Sequence, residues 1–302
     1  KYTNTDFAMD TVVSETLYTT GDDLNTEIGN KLREIESGLL SWTDEDSQIS
    51  KLNAAAGETT EVSDELAGYL AKIEQLAGDS DGAFDPTLGK VIRFWNIDGE
   101  DPHVPEASEL DALLKEVGYQ KVTLDGNKVT LAKDTTLDLG AVGKGIGCDV
   151  ISEFLKDQKE VEGMILNLGG SSVFAYGQKP DDSPWKVAVT DPRDTEGEYL
   201  GAITIEGGEF LSTSGDYEKY FMEDGKRYHH IFDPATGYPA DSGLRGVTVI
   251  DPCSTKADAL TTALFVMGLD QGMKFCEENK IAAVCVTTGP GGTNALTGVV
   301  GG

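Results

Sequence analysis

The chain has 302 residues, with 24 Lys and Arg against 53 Asp and Glu, a formal net charge of −29 and a pI near 4.3. So acidic a surface repels nucleic-acid phosphates and anionic lipid headgroups, and an anionic ligand has to be held by a local device such as a metal ion, a helix N-terminus or an isolated lysine. No apolar stretch is long enough to span a bilayer, and the length suffices for one compact domain over residues 1–302 with a substantial core.

Residues 7–19 are rich in β-branched side chains and alternate well enough to predict a strand, and a helix is predicted over 23–40. Ser63-Asp64-Glu65-Leu66 has the form of a helix N-terminus, and Leu70, Ile73 and Leu76 carry an apolar face that should stop near Gly78. The turn-dense run from Ser80 to Gly89 exposes backbone amides and is a candidate ligand contact. A short helix is predicted over 107–117, and two short strands lie within 121–131 around Asp125-Gly126-Asn127. The glycine-rich segment 137–147 leads into a helix through Leu155, whose first amides point outward with partial positive charge.

Strands are predicted over 164–168, 185–190, 200–206, 210–213, 247–250 and 282–286, with helices over 257–268 and 271–279. Short strands interleaved with a few helices, without a regular βαβ rhythm, point to a mixed α+β, largely antiparallel fold. Asp44-Glu45-Asp46, Asp181-Asp182 and 195–198 read as solvated acidic surface, and 289–292 and 301–302 as loop and fraying end. The four cysteines, Cys148, Cys253, Cys276 and Cys285, have neither Cys-x-x-Cys spacing nor a metal pattern with the histidines, and are expected to be small buried thiols.

Chemistry is expected in two places. Residues 227–237 read Arg-Tyr-His-His-Ile-Phe-Asp-Pro-Ala-Thr-Gly, setting two of the three histidines before an Asp-Pro turn. In Lys256-Ala257-Asp258-Ala259-Leu260-Thr261-Thr262 a carboxylate and a hydroxyl fall at i and i+4 on one helix face, a seat for a hard cation such as Mg²⁺. Singly, each motif has a plainer reading: Gly140 to Gly145 as a helix entry, Asp258 as a cap, and one of His229 and His230 as a buried, hydrogen-bonded strand end.

Their order narrows the choice. Met9-Asp10-Thr11, Asp46 to Asn53, Gly82-Ala83-Phe84-Asp85, Asp138 to Gly145, Asn167-Leu168-Gly169-Gly170, Ser212 to Tyr217, His230 to Gly237 and Ala257 to Thr262 closely resemble, in order, the signature segments of the ApbE family of FAD:protein FMN transferases. The resemblance covers nearly the whole chain and implies a T-fold-like arrangement of antiparallel sheet and packed helices. It implies FAD as substrate and Mg²⁺-dependent cleavage of the FAD pyrophosphate. FMN would pass to a Thr or Ser hydroxyl of an acceptor protein through a phosphodiester, releasing AMP.

By that resemblance Asp258, Thr262 and the carbonyl of Ala141 would hold the Mg²⁺, and His230 would be the base that deprotonates the acceptor hydroxyl. Met9, Ala83, Phe84, Asp85, Asp138, Lys144 and Phe232 would contact FAD. The chain departs from the family at Asp10, where many members have Gly, and at Ser41-Trp42-Thr43, where Trp42 replaces an aromatic residue that lies near the flavin. An FAD pyrophosphatase, with water as acceptor, and a non-catalytic flavin-binding lipoprotein are the alternatives. The resemblance also implies an extracytoplasmic location. Because the sequence opens at Lys1 without Met, an N-terminal lipid anchor is expected to have been removed, and it would be the only membrane attachment.

Overall fold

The computed structural model describes residues 1–192 and 199–288 in full and the backbone of 294–299. The acidic stretch 195–198 and the glycine-rich 289–292 and 301–302 lie outside the described residues.

The predicted first strand is a hairpin. β1 (Tyr2–Ala8) and β2 (Thr11–Thr19) pair antiparallel, and the turn between them places Met9 and Asp10 at φ +56° and +53°. Neither is a glycine, so no turn signal was available to break the run. The helix expected over 23–40 is α1 (Asn25–Ile35) followed by a π-turn at Glu36–Leu40, where the Ser41 N–H donates to the Glu36 carbonyl at 2.8 Å. Next come α2 (Gln48–Ala54), β3 (Thr59–Glu61), α3 (Asp64–Asp79), α4 (Gly89–Trp95) and α5 (Ala107–Leu114). Ser63 caps α3 as predicted, its hydroxyl accepting from the Leu66 N–H at 3.2 Å.

The middle of the chain holds the hairpin β4 (Val122–Asp125) and β5 (Lys128–Leu131), then α6 (Gly143–Lys156), β6 (Val161–Leu168), β7 (Ser172–Gly177), β8 (Trp185–Thr190), β9 (Tyr199–Ile205) and β10 (Phe210–Gly215). A hairpin of β11 (Tyr220–Glu223) and β12 (Lys226–His229) precedes β13 (Leu244–Asp251), α7 (Ser254–Asn279), β14 (Ala282–Thr288) and β15 (Asn294–Val299). The two helices predicted at 257–268 and 271–279 are one element, kinked where Gly268 takes φ +78°. An added Cβ there would sit 3.3 Å from the Ser242 carbonyl oxygen.

Among the described residues, one eight-stranded sheet runs in the order β1-β2-β6-β7-β10-β13-β14-β15, every neighbour antiparallel. The main core includes Leu17, Phe174, Phe210 and Val249 of this sheet and Leu32, Ile151, Leu260 and Phe265 of α1, α6 and α7. A second core joins α2 and α3 to β4 and β5, and a third packs Trp185, Val187 and Ile205 of β8 and β9 on Val173, Ala175 and Leu211. A fourth gathers Val91, Trp95, Leu110 and Phe232. The fold is mixed α+β and largely antiparallel, as expected from the strand rhythm. The four cysteines are unpaired, and three of them are buried. No helix among the described residues is long and apolar enough to cross a membrane.

Candidate active site

Strand period and helix period meet where β10 faces α7. Successive inward residues of the strand, Ser212 and Ser214, stand two apart, and the helix answers with Asp258 and Thr261, three apart. The Ser212 hydroxyl donates to Asp258 Oδ1 at 2.5 Å, and Ser214 donates to Thr261 Oγ1 at 2.8 Å. The other Asp258 oxygen accepts the Gly145 N–H from α6 at 2.6 Å. Helices α6 and α7 can approach this closely because Gly145 has no side chain; a Cβ would fall 2.5 Å from the Ser254 carbonyl oxygen.

Asp258 is therefore no helix cap. That work falls to Asp149 of α6, whose carboxylate accepts the Ser254 and Thr255 N–H groups at 2.8 and 3.0 Å and the Thr255 hydroxyl at 2.6 Å. The helix begins three residues before the predicted 257, which sets Asp258 in its second turn, buried and turned toward α6 and β10. Burial pushes its carboxyl up to about 6, although the Ser212 and Gly145 hydrogen bonds and the nearby Lys144 charge pull the other way. A buried carboxylate so weakly compensated favours a cation beside it.

The oxygens around it suit a hard ion. Thr262 and Ala141 border the same cleft as Asp258, and the Gly145 N–H that helical geometry would direct to the Ala141 carbonyl is engaged by Asp258. Together Asp258, Thr262 and Ala141 offer one carboxylate, one hydroxyl and one carbonyl, donor types that suit a hard cation. Among the described residues no group of three His, Cys, Asp or Glu side chains is placed to hold a metal, and this donor set, with a single such side chain, would not form one.

The two histidines separate cleanly. His229 ends β12, buried; its Nε2 meets the Ala240 carbonyl at 3.1 Å and its Nδ1 accepts the Ile231 N–H at 3.2 Å, while its ring lies edge-on to Phe265. Both nitrogens are committed, so it is a packing residue. His230 faces the cleft. Its Nδ1 lies 3.2 Å from the Lys219 carbonyl, a contact that requires the proton on Nδ1 and leaves Nε2 with its lone pair free. Burial lowers the imidazole to about 4, so the ring is neutral across the physiological range.

The cleft has two adjoining compartments of about 570 and 610 Å³, sharing Asp10, Trp42, Asp138, Lys144, Ser171 and Glu218. Met9 borders the first, its N–H held by Glu36 Oε2 at 2.8 Å. Ala83, Phe84, Asp85, His230, Phe232, Asp258 and Thr262 border the second. Trp42 stands 45% exposed at the junction. Lys144 Nζ reaches Ser171 Oγ at 2.6 Å. Every residue that the resemblance assigns to the site thus borders one cleft, whereas His229 does not.

Some of these residues also have a structural task. Both Asp85 oxygens are committed, Oδ1 to the Thr87 N–H and hydroxyl at 2.8 and 2.5 Å and Oδ2 to the Tyr119 N–H at 2.9 Å, so the side chain braces the loop that carries Ala83 and Phe84. Asp138 accepts the Gly140 N–H at 2.8 Å, and burial raises its carboxyl. Asp233 accepts the Ala235 N–H at 2.9 Å and turns the chain after Phe232.

Sequence reasoning gave no role to Asn53, although it closes one of the signature segments, nor to Glu36, Asp149 or Arg93. Asn53 exchanges hydrogen bonds with both peptide groups of Leu137, at 2.9 and 2.8 Å, and so fixes the loop that presents Asp138. Its partner lies 84 positions away, and no local pattern announces it. Ser212 did carry a signal: the 212/214 alternation faces the Asp258 turn.

A profile of the ApbE family matches residues 9–285, which includes every residue that lines the cleft. The chain belongs to the ApbE family. The "FAD:protein FMN transferase" of Vibrio cholerae is 34% identical over 269 residues, covering 87% of this chain and 79% of that protein. The protein of the same name from Haemophilus influenzae is 33% identical over 278 residues, covering 88% and 79%. Among solved ApbE structures, the Thermotoga maritima protein superposes with a TM-score of 0.88 at 33% identity, covering 97% of this chain and 96% of its own. The Pseudomonas stutzeri flavinyl transferase ApbE, in its apo form, superposes with a TM-score of 0.86 at 32% identity, covering 99% and 94%.

Proposed function

We propose that this chain is an FAD:protein FMN transferase that moves FMN from FAD to a Thr or Ser hydroxyl of an acceptor protein and releases AMP. The observation that carries the reading is the pairing of a neutral imidazole, its Nε2 free, with a buried carboxylate in an all-oxygen niche on one cleft. Membership of a family whose relatives bear that activity in their names supports it.

The acceptor hydroxyl gives its proton to His230 Nε2 as its oxygen attacks the FMN-side phosphorus; a new P–O bond forms and the pyrophosphate bridge breaks, with the bridging oxygen leaving on AMP. Lys144 sets a positive charge among the phosphates, which the chain's acidity makes scarce elsewhere. Asp258, Thr262 and the Ala141 carbonyl would hold the Mg²⁺. When bound, the ion supplies neutralisation of the phosphate oxygens and of the charge that gathers on the leaving group. Phe84 and Phe232 give the rings of FAD apolar surface to lie on.

The test is incubation with FAD and Mg²⁺, with and without proteins bearing candidate Thr or Ser acceptors, followed by denaturing electrophoresis for flavin fluorescence and assay of AMP. Covalent flavin on protein, rising with AMP, is expected. FMN and AMP released equally without acceptor would instead assign a pyrophosphatase.

A further inference from the structure

The hairpin of β11 and β12 is rooted beside the base. Glu218 and Lys219, which precede β11, line the cleft, and the N–H of His230, which follows β12, donates to the Lys219 carbonyl at 3.1 Å. At the far end Asp224 and Gly225, at φ +50° and +76°, form a two-residue loop between Glu223 and Lys226. The hydrogen-bonded pairs are then Glu223 with Lys226, Phe221 with Tyr228 and Lys219 with His230, which leaves the N–H and C=O groups of Tyr220 and Met222 pointing outward from β11.

That outer edge is uncovered. β11 and β12 form a sheet of two strands, and among the described residues no backbone group outside the hairpin bonds to Tyr220 or Met222. On the other side the chain is already packed: His229 is buried, and the Ala240 N–H donates to the Ile231 carbonyl at 2.9 Å. The side chains sort by face as well. Phe221 and Tyr228 stack at 5.3 Å and lie against Trp95, whereas Tyr220 and Met222 stand 41% and 55% exposed on the opposite face, with the Arg227 guanidinium 4.3 Å from the Tyr220 ring centroid. An open strand edge that presents apolar side chains is a template for another extended chain.

Resting on the reading that a protein hydroxyl accepts FMN, we propose that the Thr- or Ser-bearing segment of the acceptor docks as an added strand on the outer edge of β11. Its backbone bonds to Tyr220 and Met222, and the residue that carries the hydroxyl lies opposite Lys219. There it shares a face with His230, two strand spacings or about 10 Å away, a gap that the two side chains close between them. Residues one and three places along the segment fall opposite Tyr220 and Met222 on the other face, where apolar side chains are preferred. Main-chain bonds supply the affinity, and the alternate positions supply the specificity.

The test gives the wild-type chain FAD, Mg²⁺ and a mixture of short synthetic peptides with Thr at one fixed position and random residues elsewhere. FMN addition is read by mass spectrometry, with FAD affinity and melting curves alongside. Modified peptides should be enriched in apolar residues at the first and third places on one side of the Thr. Met222→Pro, which removes only an outward N–H, and the double variant Tyr220→Ser with Met222→Ser should bind FAD within about twofold of wild type and modify peptides about tenfold or more slowly. Should these variants misfold, methylating the backbone nitrogens of a modified peptide one at a time should block transfer by the wild-type chain at every second position and spare those between. Unaltered peptide modification by the folded variants, N-methylation tolerated throughout, no alternating enrichment, or FAD bound with no peptide modified would each overturn the docking. A wild-type chain that binds no FAD at all would sink the underlying functional reading instead.

Discussion

Adjacent histidines in one chain segment do opposite jobs, and the difference lies in which ring nitrogens are already bonded. His229 has both committed within the core, so His229→Ala should lower stability through a cavity and orphaned backbone groups by about 2–4 kcal/mol, seen as a lower melting temperature in thermal unfolding. His230→Ala should fold and bind FAD normally, yet transfer FMN about 10²- to 10⁴-fold more slowly. Equal melting losses in both variants would erase the distinction. Glu74 gives a pH prediction. Burial, then the charge of Asp85, pushes its carboxyl up to about 7, and Oε1 is buried without a partner among the described residues. The native state holds that proton more tightly than the unfolded chain, so ionisation opposes folding and stability falls as pH rises from 4.5 to about 7. Glu74→Gln should therefore stabilise by about 1 kcal/mol at pH 8, discounted for its partial exposure, and by nothing near pH 4. A shift in melting temperature equal at both pH values would contradict this.

The elements were legible in the sequence where period and caps agreed with the fold. Ser63 with Leu66, Leu70 and Ile73 announced α3, and the alternation of 185–190 announced β8. What stayed hidden was geometry without local chemistry. The Met9–Asp10 turn uses positive φ at two non-glycine residues, held by Glu36 from a π-turn that no periodicity predicts. The i, i+4 spacing of Asp258 and Thr262 suggested a cation seat but fitted a cap equally well, and the capping falls to Asp149, 109 positions before Asp258 by residue number. The helix pair supplies its own test. Gly145→Ala should force α6 from α7, destabilising by about 1–3 kcal/mol and weakening Mg²⁺ binding together, because the Gly145 N–H orients the Asp258 carboxylate. Unaltered Mg²⁺ affinity in a destabilised variant would separate packing from site geometry.

At the scale of the whole molecule the governing quantity is the charge of −29. Such a body repels itself, so added monovalent salt should raise its melting temperature from low ionic strength to about 0.3 M, and a fall would contradict that view of the surface. The same acidity makes the positive groups that border the cleft, Lys144, Arg93 and Lys219, and the cation-suited oxygens of Asp258, Thr262 and Ala141 the local means of holding an anionic ligand. The central claim is that this niche serves FMN transfer. Its most direct measurement is mass spectrometry of an acceptor protein after incubation with FAD and Mg²⁺, comparing the wild-type chain with Asp258→Asn, which keeps the side chain's shape and one acceptor oxygen while removing its charge. The account predicts an acceptor heavier by one FMN phosphodiester with the wild-type chain, matched by AMP, and no such adduct with folded Asp258→Asn. Full modification by the variant, or AMP release by the wild-type chain with no mass gained by any acceptor, would contradict it.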